Sequence, residues 1–184
     1  MEQGSSPYTV VLNQTFLDEC WAAWKTRHNA VYADQEEEKH RRQRWMNIMV
    51  AMMKHNIQYD IGQIAWTMGL NQFSARLPGE PICGCCTEDA LKSEIRGEKQ
   101  EPQSFASHDD NSISFILEQT FLDECWSRWK QKHNKVYANQ QEENQRREKW
   151  TVNLVDIMKN NVKHEVGVSD NSRRLDQFAD SASA

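Results

Sequence analysis

Gln14-Thr15-Phe16-Leu17-Asp18-Glu19-Cys20-Trp21 returns unchanged as Gln119-Thr120-Phe121-Leu122-Asp123-Glu124-Cys125-Trp126, and that recurrence decides how the chain is read. The register holds without a gap through Trp24/Trp129, His28/His133, Tyr32/Tyr137, Arg41/Arg146, Trp45/Trp150, Asn56/Asn161, Gly62/Gly167 and Phe73/Phe178. About 30 of roughly 64 positions are identical, so the chain is a tandem duplication. The expected organisation is one unit over 12–80, a linker with a cysteine cluster over 81–116, and a second unit over 117–180. Pro81, Pro102 and the polar run Lys99-Gln100-Glu101-Pro102-Gln103-Ser104 fall between the repeats, with Pro78 just before them, as a connector requires.

Within a unit the periodicity is helical. Leu12, Phe16, Leu17, Cys20, Trp21 and Trp24 recur at steps that share one helix face, while Asp18, Glu19 and Lys25 fall on the other. That helix is expected to end near His28-Asn29. After a turn through Tyr32-Ala33-Asp34, a longer helix carries Glu37, Arg41, Trp45, Ile48, Met52 and Asn56 at steps of four, four, three, four and four. Neither stripe is wide enough to be stable alone, so the two helices must cross and bury their indoles against each other. From Ile57 to Met68 the residues are partly alternating and β-branched, which predicts a short strand or extended segment. The fold class is mainly α: two tandem small domains, each of two crossed helices plus that short piece.

Composition removes several functions. The 184 residues carry 22 Lys+Arg against 27 Asp+Glu, a net charge of -5, so nothing favours nucleic acid as a partner. No apolar run approaches a membrane span, and Met1-Glu2-Gln3-Gly4-Ser5-Ser6-Pro7 has neither a basic nor an apolar leader region. The expected location of the chain as written is therefore cytoplasmic, or lysosomal or extracellular if a signal has been removed. Seven Trp with only seven Gly and four Pro fit small helical cores built on indole rings. The odd count of five Cys, without a secretory signal, reads as reduced thiols. Cys20 and Cys125 lie on the apolar helix face and are expected to be buried. No cofactor is expected, and no metal, because Cys83, Cys85 and Cys86 lack a fourth well-spaced ligand.

The long helix of the second unit reads Glu142-x3-Arg146-x3-Trp150-x2-Asn153-x3-Ile157-x3-Asn161. Glu142 and Arg146, four apart, are expected to pair and, with Glu143 and Arg147, to tie this helix to the first. Trp150 and Ile157 face the core, and Asn153 and Asn161 are placed to close backbone groups of passing segments. The pattern resembles the ERFNIN motif in the propeptides of papain-like, cathepsin L-type cysteine peptidases, with Trp at the Phe position. Gly69-Leu70-Asn71-Gln72-Phe73-Ser74-Ala75 is similar to the second motif of that family, Gly-x-Asn-x-Phe-x-Asp. Each repeat departs differently. Glu37, Arg41, Trp45 and Asn56 fit in the first, where Ile48 and Met52 replace Asn and Ile and Ala75 replaces Asp. In the second, Arg174 and Asp176 replace Gly and Asn while Phe178 and Asp180 fit.

The resemblance implies an inhibitor and not an enzyme. Too few residues follow Cys86 to hold a papain-like catalytic domain. A propeptide without its enzyme resembles the free-standing propeptide-like inhibitors, including multi-repeat, salarin-type ones. In that family the helical body docks on the prosegment-binding loop and the chain then crosses the active-site cleft opposite to a substrate. The implied partners are papain-like, cathepsin L-like cysteine peptidases. The implied protease-binding residues are Trp66, Gly69, Asn71, Phe73, Leu77, Pro78, Phe178 and Asp180. Residues 74–83 read as an extended, proline-stiffened segment suited to the cleft. The sequence ends six residues after Phe178, so the first repeat is expected to occlude and the second mainly to bind. Cys83, Cys85 and Cys86 are either exposed linker thiols or a thiol contact for the peptidase. Glu37, Glu142 and Asp180 are expected to carry depressed pKa values and acid sensitivity. The competing reading is a non-inhibitory helical interaction module with a degenerate propeptide fold.

Overall fold

A computed structural model describes residues 7–80, 106–107 and 112–181. Each repeat opens on a strand: β1 (Tyr8–Asn13) leads into α1 (Gln14–His28) and α2 (Gln35–Asp60). In the second repeat β3 (Ser112–Leu117) leads into α3 (Gln119–Lys132) and α4 (Gln140–Glu165), with β2 (Ala106–Ser107) just before it. The boundaries follow from capping chemistry. Asn13 accepts from Phe16 N at 2.9 Å to start α1. Asp34 and Asn139 accept from Glu37 N and Glu142 N, at 2.8 and 2.9 Å, to start the long helices. The short helices stop where Asn29 and Asn134 turn left-handed, at φ 50 and 51°.

The long helices run further than their polar motif requires. α2 has 26 residues, about 39 Å of helix, and continues through Ile57 to Asp60. The β-branched stretch expected to extend from Ile57 is therefore helical at its start, because Ile57 lies one turn past Met53 on the buried face and packing outweighs strand propensity. Gly62 and Gly167, at φ 78 and 84°, then redirect the chain. Among the described residues the strands precede the helices instead of following them. Residues 112–116, read as the end of the linker, form most of β3.

Both cores are indole clusters. Trp21 stacks on Trp24 (centroids 5.2 Å apart) and on Tyr32 (5.9 Å), and Trp45 closes the cluster from α2 at 5.4 Å. Trp126, Trp129, Tyr137 and Trp150 repeat the arrangement at 5.3, 5.8 and 5.3 Å. The two units also share structure. β3 lies between β1 and β2 in one antiparallel sheet. Its register with β1 pairs Tyr8 with Leu117 and Leu12 with Ile113, which are the same pairing seen from either repeat. With α2 packed on α4, the tandem domains form a pseudo-twofold dimer within one chain.

Candidate functional site

Glu37 and Arg41 do not tie the long helix to the short one. Glu37 accepts from Ala33 N at 2.8 Å and from Arg41 Nε at 2.8 Å, closing the helix N-terminus on itself. The Ala33 N–H, then Arg41, hold its carboxyl below the usual range. In the second repeat Glu142 accepts from Ala138 N at 2.9 Å, with Arg146 3.7 Å away. The ties between helices come from the neighbouring positions. Trp21 Nε1 donates to Glu38 at 2.8 Å, Lys25 pairs with the same oxygen, and Arg42 reaches Asp18 at 2.6 Å. Trp126 donates to Glu143 at 3.2 Å, joined by Lys130, and Arg147 pairs with Asp123. Lys25 and Lys130 are the main cause of the lowered Glu38 and Glu143 pKa values. Glu143 and Arg147, expected to share the tie with Glu142 and Arg146, carry it themselves; a heptad step back along the long helix from Trp45 and Trp150 reaches both carboxylates, Glu38 and Glu143.

The long helix then holds the segment that follows it. The Asn56 side chain donates to Met68 O at 2.9 Å and accepts from Met68 N at 2.8 Å, as a neighbouring strand would. Asn161 does the same to Arg173, at 2.7 Å both ways. Trp24 Nε1 donates to Asn71 O at 3.2 Å and Trp129 Nε1 to Asp176 O at 3.0 Å. The Asn71 and Asp176 side chains each accept from the N–H two residues on, at Phe73 (2.9 Å) and Phe178 (2.8 Å). Asp176 thus forms the same turn as the asparagine it replaces. The result is one arrangement twice: an anchored extended segment whose Phe is turned outward, 42% exposed at Phe73 and 65% at Phe178. Trp66, 61% exposed, leans on His55 with centroids 4.0 Å apart, and Asn171 occupies its place in the second repeat.

Beyond the Phe the repeats diverge. Asp180 is buried against Lys135 (2.9 Å) and the Tyr137 hydroxyl (2.9 Å), and Asn153 donates to Ala179 O at 2.7 Å and Ser181 O at 3.1 Å. In the first repeat Ala75 and Ala30 stand where Asp180 and Lys135 pair, and Ile48 packs where Asn153 donates. Met52 and Ile157 are equivalent core residues. Arg41 instead takes Glu80 in a two-point pair, at 2.9 and 2.6 Å, which lowers the Glu80 pKa. Leu77, Pro78, Gly79 and Glu80 form a turn, with Glu80 N donating to Leu77 O at 3.3 Å and Gly79 at φ 89°. This stretch was expected to be extended; the proline-glycine step and the Arg41–Glu80 pair fold it back on α2.

Cys20 and Cys125 are buried, which pushes each thiol up to about 12. Cys83, Cys85 and Cys86 lie outside the described residues. Among the described residues no group of His, Cys, Asp and Glu is gathered to hold a metal ion, and no helix is long and apolar enough to cross a membrane.

Comparison with known proteins places this architecture. The family profile described as the cathepsin propeptide inhibitor domain (I29) matches twice, over residues 21–80 and 126–183. The chain is similar to the cystein proteinase inhibitor protein salarin of Salmo salar, 25% identical over 164 residues, 89% of this chain and 40% of the relative. Protein CTLA-2-beta of Mus musculus is 37% identical over 79 residues, 43% of this chain and 69% of that protein. A cathepsin L-like proteinase of Fasciola hepatica is 27% identical over 118 residues, 60% of this chain and 36% of the enzyme. The chain spans about two fifths of the length of the salarins it matches. No solved structure matches.

Proposed function

The chain belongs to the cathepsin propeptide inhibitor domain family, an inhibitor family and not a catalytic one, and from that premise we propose that it inhibits papain-like, cathepsin L-like cysteine peptidases. The observation that carries the reading is the anchored, outward-turned Phe segment present in both repeats. Each long helix grips its own exit segment through an Asn, and the aromatic side chain beyond is left for a partner. The helical body would dock on the prosegment-binding loop through Trp66, Phe73 and Phe178. The following chain would cross the cleft in the direction opposite to a substrate, where its peptide bonds are misaligned for thiolate attack. In the first repeat Leu77 and Pro78 would lead into the cleft, which requires the turn closed by Glu80 to open. Cys83, Cys85 and Cys86 would follow, and loss of inhibition in reductant, reproduced by serine replacements, is the test of a thiol contact.

Several departures from the family motif are absorbed locally. Asp176 rebuilds the Asn71 turn, and Ala30 with Ala75 replaces Lys135 with Asp180 as a pair. This weakens the basis for the competing reading of a degenerate, non-inhibitory module. The deciding experiment is titration of a cathepsin L-type enzyme with the full chain, beside Phe73→Ala and Phe178→Ala variants. Tight stoichiometric inhibition, weakened about 30-fold by loss of an engaged Phe with the melting temperature unchanged, is expected. Folded helical protein that neither binds nor inhibits such an enzyme would establish the module reading instead.

A further inference from the structure

The Phe segments are held by their own repeats at Met68 and Asn71, and at Arg173 and Asp176. Between those points one main-chain N–H in each segment is taken by the other repeat. Leu70 N donates to Glu165 Oε1 at 3.1 Å, and Leu175 N donates to Asp60 Oδ2 at 3.1 Å. Glu165 and Asp60 are equivalent residues, each the last of its long helix. Leu70 and Leu175 are both buried, so these N–H groups have no access to water as a substitute. We propose that each repeat's docking segment is positioned by a carboxylate from the opposite repeat, Glu165 for Phe73 and Asp60 for Phe178, so that neither repeat is a self-contained inhibitor.

The two contacts are matched in size. A Cβ at Gly69 would stand 2.6 Å from Glu165 Oε1, so a side chain there would push that carboxylate away from its place at Leu70 N. The shorter Asp60 faces Arg174 at the equivalent position, and that guanidinium lies over the Tyr59 ring, 5.6 Å from its centroid. Gly69, expected to bind the peptidase, also leaves room for the clasp. Around these two bonds the interface is polar and reciprocal. Lys132 donates to Asp60 O, and the Arg27 guanidinium lies beside Gly167, so a base from each short helix sits at the C-terminal end of the opposite long one. Lys163 pairs with Glu19 at 2.6 Å and Gln63 with Glu124 at 2.9 Å.

The inference rests on the inhibitor reading, and its test separates the two. In the full chain, Glu165→Ala, Glu165→Gln and Glu19→Gln would each be followed by residue-resolved amide exchange and by titration of a cathepsin L-type enzyme. Glu165→Ala should speed exchange at Leu70 about tenfold and weaken inhibition through the first repeat by a similar factor. Glu165→Gln keeps an oxygen acceptor and should restore both. Glu19→Gln loosens the same interface without touching the segment and should change neither. Unchanged Leu70 exchange in Glu165→Ala overturns the proposal, as does faster exchange with inhibition intact, or an equal effect of Glu19→Gln. If the wild-type chain inhibits no papain-like peptidase, the inhibitor reading falls, while the exchange at Leu70 still decides the clasp.

Discussion

The repeats are a natural double substitution at one buried site. Asp180, 2% exposed, holds Lys135 and Tyr137 in the second repeat, whereas Ala75 and Ala30 fill the same place in the first. Removing one partner of such a pair leaves a charge in a poorly hydrated site; removing both leaves a small apolar contact. Asp180→Ala should therefore destabilise the protein by about 3 kcal/mol. Lys135→Ala combined with Asp180→Ala should recover more than half of that in urea denaturation, because it recreates the combination of alanines at positions 30 and 75 of the first repeat. The roles of Asn153 and Asn161 were legible in the sequence, since an amide carries both donor and acceptor groups that can meet a passing backbone. The Arg41–Glu80 pair of the first repeat was not, because it depends on a turn that closes five residues beyond Ala75.

At the scale of elements, the helical period located both helices in each repeat, and the indole spacing identified the faces that meet. The end of each long helix was not legible: Ile57 and Val162 favour strands as residues but complete a buried helix face. The strands were missed because Val10 and Phe115 belong to a sheet made of both repeats, a contact to which no single-repeat pattern points. The joints between paired helices are acid-labile. Glu38 and Glu143 have folded pKa values lowered by Lys25 and Lys130, as Glu37 has by Ala33 N–H and Glu80 by Arg41. Their stabilisation is complete above the unfolded value of about 4.3 and is lost as pH falls through the lower folded values. Burial raises Asp60, which acts in the opposite sense, so acid relieves that one site. The melting temperature should fall as pH drops below about 4, and Glu38→Gln with Glu143→Gln should flatten the fall. An unaltered slope in the double variant would place the acid-labile groups elsewhere.

For the molecule as a whole, duplication was plain in the sequence, but the association of the copies was not. A connector of roughly 40 residues permits two independent domains as readily as one assembly. The shared sheet, the α2–α4 packing and the crossed carboxylates favour one unit. Thermal unfolding should then be a single transition, with calorimetric and van't Hoff enthalpies in agreement; two resolved transitions would mean that the repeats melt separately. The symmetric register of β1 with β3 has one more consequence. Two identical strands that pair about a central dyad are what a homodimer would present, and joining them covalently replaces encounter by ring closure. A tether of this length keeps the two ends at an effective concentration that falls with its length but does not change with dilution of the protein. The assembly therefore stays closed at any dilution, including levels at which two untethered copies would have drifted apart.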